Sequence, residues 1–150
     1  MKYDTYCGLY CGACSMLIAN ERGKLEEKAK IWKLKPEEVR CNGCKSDVLS
    51  VYCLDCKIKT CAENKNVDYC YYCPDYPCAM LHKFKNDRYD HHSIIFQNLN
   101  FIKENGIEAW LKSQKERWSC SECGMRFSWY DKKCSKCGQP VKSCKEDIID

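Results

Sequence analysis

A small metal-stapled fold, mainly α and irregular, is what this sequence predicts: a cysteine-rich knuckle domain, helices, and a C-terminal zinc ribbon with short β-strands. Three observations point there. Sixteen of the 150 residues are cysteine, a density that marks a cysteine-held scaffold. Only 27 residues are Leu, Ile, Val or Phe, too few for a large core, and small cores need disulfides or metals as staples. The net charge is only +4, with four Trp and ten Tyr, so the lean composition reads as folded rather than disordered. The same arithmetic excludes a barrel or Rossmann enzyme in one piece.

Which staple is used depends on compartment. Residues 1–10 contain no apolar run, so no secretory signal is expected. No stretch has the length or apolarity of a membrane span. A cytoplasmic location is therefore expected, and closely spaced cysteines there bind metal more often than they pair as disulfides.

Along the chain, residues 1–14 read as loop, with Ser15 capping a short helix that ends at the Arg22-Gly23 step. Residues 24–34 have the period of an amphipathic helix, with Leu25, Ala29, Ile31 and Trp32 inward. Pro36 opens one further turn through Arg40, with acidic residues where the helix dipole favours them. Residues 41–78 show no period and read as irregular knuckles joined by short turns or helices. Three helices follow. Residues 79–86 put Met80, Leu81 and Phe84 on one face. Residues 90–105 carry Ile95, Leu99 and Ile102, capped by Gly106, and 107–117 carry a stripe through Ile107, Trp110, Leu111 and Gln114. His91 and His92 are expected to face water, and Ile148 and Ile149 to lie in a mobile acidic tail. The expected division is a metal-binding domain over 1–88, a helical connector over 89–117 and the ribbon over 118–145.

The C-terminal cysteines carry the most specific pattern. Cys120, Cys123 and Gly124, then Cys134, Cys137 and Gly138, form two C-x2-C-G knuckles separated by ten residues. Two residues between cysteines let both sulfurs reach one ion, and two knuckles complete a tetrahedron. The glycine after each pair supplies a left-handed turn that aims backbone N–H groups at the thiolates. The pattern resembles a zinc ribbon, and such sites are closed and structural.

Eleven more cysteines lie upstream: Cys7, Cys11, Cys14, Cys41, Cys44, Cys53, Cys56, Cys61, Cys70, Cys73 and Cys78. All are candidate ligands. The spacing C-x2-C-x4-C occurs at 53–61 and again at 70–78, which suggests equivalent ligand roles for equivalent cysteines. Eleven is one short of three four-ligand sites, so His82 and Cys144 are candidates for the twelfth. Several zinc ions are the expected cofactors, with an iron–sulfur cluster as the alternative, since clusters also use gathered thiolates. The spacing Cys7-x3-Cys11-x2-Cys14 is that of radical S-adenosylmethionine enzymes, but the chain is too short for their barrel.

The order of motifs is itself informative. The opening Cys7-Gly-Leu-Tyr-Cys11-Gly-Ala-Cys14, then Cys41-Asn-Gly-Cys44, Cys53-x2-Cys56, Cys61-Ala62, Cys70-x2-Cys73 and Tyr76-Pro77-Cys78 form a series. This series resembles the prokaryotic cysteine-rich family catalogued as domain of unknown function 3795, over about residues 5–85. The resemblance implies a small metal-binding domain with no established activity, to which the ribbon is an addition.

Other chemistry is sparse. No Ser/His/Asp arrangement, phosphate-binding loop or dinucleotide glycine motif is present, and no small-molecule substrate can be named. The function expected is therefore a non-enzymatic, metal-binding adaptor or interaction module; the alternative is an iron–sulfur or thiol redox protein. Residues 112–145 carry a local net charge of +6. There, Arg126, Phe127, Trp129, Tyr130, Lys132 and Lys133 offer a protein partner or a nucleic acid a basic and aromatic surface.

Overall fold

The computed structural model describes residues 2–148; Ile149 of the expected tail lies outside them. Seven α-helices are present among these residues: α1 Ser15–Glu21, α2 Leu25–Trp32, α3 Pro36–Val39, α4 Lys57–Asn64, α5 Ala79–Lys85, α6 Ile95–Asn105 and α7 Ile107–Arg117. Short 3-10 turns at Cys11–Ala13, Val51–Cys53, Cys70–Tyr72, Asp90–His92 and Cys144–Asp147 join them. The mainly helical expectation holds. The ribbon's strands do not: among the described residues it contains two isolated antiparallel bridges, Ser119 with Arg126 and Lys133 with Pro140. Each bridge closes one tight knuckle and has no partner strand to extend it.

Local chemistry sets the helix limits. α1 starts with Cys14 rather than Ser15 at its extended N-cap, and no side chain caps it. α2 ends at Lys33 in the left-handed conformation, where the Leu34 N–H donates to the Ala29 carbonyl at 2.9 Å. Pro36 occupies the first turn of α3, and Glu38 accepts from the Lys35 N–H at 2.6 Å. α4 is a helix that periodicity missed, because its apolar face is reduced to Ile58 and Ala62. α6 and α7 meet at Gly106 and pack on each other.

Three apolar clusters hold these pieces. In one, Met16, Ala19, Ala29, Val39 and Cys41 unite α1, α2 and α3, with Cys14 against them. α2 turns Ala29 inward, whereas Ile31 and Trp32 are exposed at 73% and 43%, contrary to the expected stripe. Trp32 instead lies edge-on to Tyr52, with Lys28 over its ring. The second cluster joins Cys7, Ile58, Leu81, Ile95 and Leu99. Leu81 is buried there, while Met80 on the same helix is exposed. In the third, Tyr10, Ala13, Ile102, Trp110, Trp118, Phe127 and Cys144 link the N-terminal loop, α6, α7 and the C-terminal knuckle segment.

The N-terminal loop is the thread that ties distant segments. The Lys2 N–H donates to the Asn42 carbonyl at 3.0 Å, and the Cys70 N–H to the Tyr6 carbonyl at 2.8 Å. Asn98 on α6 donates to the Gly8 carbonyl at 2.8 Å in a buried site. The C-terminal knuckle segment joins through the Trp129 N–H, which donates to the Ala13 carbonyl at 3.2 Å. His91 and His92 do not face water. His92 is buried and hydrogen-bonded through Nδ1 to Asp87, while His91 stacks on Trp129.

Candidate metal centre

Two knuckles fold back on one another at residues 120–137. Each is closed by a turn bond, Gly124 N–H to the Cys120 carbonyl at 2.8 Å and Gly138 N–H to the Cys134 carbonyl at 3.0 Å. Both glycines have positive φ, +70° and +75°, where a side chain would be strained. The turns bring the Cys120 and Cys137 sulfurs to 3.6 Å and those of Cys123 and Cys134 to 3.5 Å. All four sulfurs lie within 4.8 Å of one another, the spacing at which one ion reaches four thiolates.

The electrostatics favour a cation. Backbone N–H groups of Cys137 and Lys136 stabilise the Cys134 thiolate and pull its thiol down to about 6. The Gln139 amide favours the Cys137 thiolate in the same way, but burial and its three sulfur neighbours outweigh it and hold that thiol up at about 12. Four adjacent thiolates cannot all ionise without a positive charge between them; a metal ion supplies it and displaces the protons.

Among the described residues, no other group of three or more thiol, carboxylate or imidazole ligands gathers this tightly. The eleven upstream cysteines are free thiols, with Cys7 and Cys41 buried and the rest half-buried. Cys14 packs against the apolar cluster that contains Cys41, while Cys56, Cys70 and Cys78 pack against the cluster that contains Cys7, Ile58, Leu81, Ile95 and Leu99. Burial is the leading cause that raises the thiols of Cys11, Cys44, Cys53 and Cys70, and neighbouring thiolates add to it. His82 is exposed on α5 and lies against Phe96. Cys144 is buried in the apolar cluster with Tyr10 and Trp110.

The two C-x2-C-x4-C segments do not fold alike. Cys53 ends a 3-10 turn, whereas Cys70 starts one; Cys61 sits inside α4, whereas Cys78 precedes α5. Their chain environments therefore differ despite identical spacing. The basic and aromatic surface is also partly consumed. Phe127 is buried, Arg126 pairs with Glu21, and Trp129 stacks on His91, which leaves Tyr130, Lys132 and Lys133 exposed.

A family model described as Protein of unknown function (DUF3795) matches residues 3–83, the segment from the N-terminal loop into α5. That is more than half of the chain. The protein belongs to this family. No curated protein and no solved structure matches the chain. The family segment contains all eleven upstream cysteines and ends before α6, so the C-terminal four-cysteine group lies wholly outside it.

Sequence reasoning missed the lysines that bind carbonyls, carboxylates and rings within the family segment. Lys59 Nζ donates to the Cys44 carbonyl at 2.6 Å, and Lys45 Nζ to Asp4 at 2.8 Å while lying 3.9 Å from the Tyr69 ring centroid. Their placement depends on long-range chain crossings that no local spacing encodes. No helix among the described residues is long and apolar enough to cross a membrane.

Proposed function

We propose that this protein is a non-enzymatic interaction module stapled by zinc, with one Zn²⁺ held by Cys120, Cys123, Cys134 and Cys137. The observation that carries the reading is the mutual approach of these four sulfurs within 4.8 Å on two matched glycine-ended knuckles. Four thiolates fill a tetrahedral zinc and leave no position for water, so the site is structural rather than Lewis-acidic. Its role is to hold Phe127 and Trp118 against Trp110 and Ile102.

The partner favoured is a protein. Arg126, Phe127 and Trp129, which could have stacked on bases, are engaged inside the molecule. Tyr130, Lys132 and Lys133 remain as a small exposed face suited to an acidic segment. The test is elemental analysis of the anaerobically purified full chain beside its Cys123→Ser variant. One zinc lost in the variant, with Trp118 and Trp129 becoming solvent-exposed by fluorescence, is the expected result. Unchanged zinc and unchanged fluorescence would overturn the assignment.

A further inference from the structure

The N-terminal loop meets α6, α7 and the C-terminal knuckle segment around a cavity of about 180 Å³. Leu9, Ile94, Trp118 and Trp129 are among its walls, which are largely apolar and aromatic. Its size is close to that of a cavity of about 150 Å³ that admits a benzene ring. It has room for one ring and little more.

Two amide side chains belong to the same wall, and each is oriented by a partner of fixed chemistry. Asn98 on α6, only 6% exposed, donates through Nδ2 to the Gly8 carbonyl at 2.8 Å. A carbonyl can only accept, so this amide cannot be turned over. Its Oδ1 is left as an acceptor that no group among the described residues fills. Gln114 on α7 is fixed the opposite way. Its Oε1 accepts from the Trp118 indole N–H at 3.1 Å. An indole can only donate, so the Nε2 hydrogens of Gln114 are the unspent group. One amide thus offers an acceptor and the other offers donors. Ser113, also in the wall, adds a hydroxyl that can do either.

The charged groups around the cavity are already matched. Arg117 is held by both carboxylate oxygens of Asp147, at 3.1 and 2.8 Å, and Asp90 pairs with Lys145 at 3.6 Å. An ion entering here would give up its hydration without meeting an unpaired counter-charge. The His91 ring is occupied as well, by Trp129 on its face and by the Tyr130 hydroxyl at Nδ1. The chemistry left over is neutral.

We propose that this cavity binds a small uncharged planar heterocycle carrying an N–H beside a C=O, of the kind found in a pyrimidine base. The N–H donates to Asn98 Oδ1, the C=O accepts from Gln114 Nε2, and the ring lies among Leu9, Ile94, Trp118 and Trp129. An apolar hollow with a few converging polar groups is the usual form of a small-molecule site. Leu9 belongs to the family segment and Trp129 does not, so the occupant bridges the two. None of Cys120, Cys123, Cys134 and Cys137 lines the cavity, and its occupancy is read independently of the metal they hold.

Uracil carries this edge on a single ring, and 1,3-dimethyluracil has the same ring and carbonyls without the N–H groups. Both are titrated into the full-length protein, purified anaerobically and with its metal content measured. Uracil should bind saturably with a dissociation constant of about 1 mM or tighter. Backbone amide signals around Asn98 and Gln114 should shift together with the side-chain NH2 signals of both residues. 1,3-Dimethyluracil should bind at least about tenfold more weakly, because it leaves Asn98 Oδ1 unpaired. Gln114→Glu keeps an oxygen for the Trp118 N–H but has no donor, and should weaken uracil binding about tenfold or more. Ser113→Leu, at a half-buried helical position, fills the cavity and should abolish saturable binding while the helical circular dichroism stays native. Wild-type protein that shows no saturable uracil binding up to about 10 mM overturns the proposal. Equal affinity of the wild type for the two ligands overturns it too, and neither result depends on a variant folding. So do uracil-induced shifts confined to residues away from α6 and α7.

Discussion

The imidazole of His91 lies flat on the indole of Trp129, with ring centroids 3.9 Å apart and planes 12° from parallel. Its Nδ1 is 2.8 Å from the Tyr130 hydroxyl. This stack is where the turn before α6 meets the C-terminal knuckle segment. Burial, helped by the adjacent His92, lowers the His91 pKa from its ordinary value to about 3, so the folded protein holds a neutral ring against the indole.

A pH dependence follows from that neutrality. The unfolded chain takes up the His91 proton near pH 6.5, while the folded chain resists it until far lower. Stability is therefore full well above pH 6.5 and declines as pH falls through it, by up to about 1.4 kcal/mol per unit for this one group. His92, also lowered by burial, pulls in the same direction. Urea midpoints between pH 7.5 and 5 should show the slope in wild type and a shallower one in His91→Phe, which keeps a stacking ring without a titrating group. Equal slopes in the two proteins would contradict this.

Arg117 at the end of α7 should be a stability hot spot. Its Nε and Nη2 reach the two carboxylate oxygens of Asp147 at 3.1 and 2.8 Å. Nη1 donates to the Lys142 carbonyl at 2.9 Å, and Nη2 also donates to the Ser143 carbonyl at 3.1 Å. The guanidinium also covers the Trp118 ring. Arg117→Ala should cost about 2 kcal/mol in chemical denaturation, and Arg117→Lys should recover little, because an ammonium cannot make the forked set.

Gly43→Ala should be far more damaging than its size suggests. A Cβ built there would lie 1.8 Å from the Lys2 carbonyl oxygen, and φ is +106°. Strain of that kind costs about 1–3 kcal/mol before the clash is relieved. The Cys41–Cys44 turn must open, so metal content of the family segment should fall along with the melting temperature. An alanine variant with full metal content and unchanged melting would mean that the turn tolerates a side chain.

Some of this architecture was legible in the residues, and the division is physical. α6 and α7 were readable because Ile95, Leu99, Ile102 and Trp110 repeat at helical spacing and are buried. The ribbon tetrad was readable because its ligands are local, two turns of four residues each. α4 was not, since only Ile58 and Ala62 face inward, and neighbours distant in sequence decide its burial. Ile31 and Trp32 misled for the converse reason: their spacing fits a helix face, but α1 and α3 cover only the Ala29 side.

Metal removal should separate the molecule into a dependent part and a resistant one. The α1–α3 cluster buries Met16, Ala19, Ala29, Val39 and Cys41, with Cys14 as one of its flanking groups. So small an apolar cluster contributes little against the entropy of ordering that segment, and the prediction is that metal coordination by its cysteines supplies the remainder. α6 and α7 differ, since Ile95, Leu99, Ile102 and Trp110 are almost completely buried and the helices pack on each other. A strong chelator under reducing, anaerobic conditions should collapse dispersed amide signals from residues 3–78 first. Part of the helical circular dichroism and the α6 signals should persist. Thiols of Cys14 and Cys41, protected in the native protein, should become reactive to alkylation at the same rate as the signals collapse. Dispersed signals from α1 and α3 that outlast complete metal removal would show that apolar packing alone holds this segment.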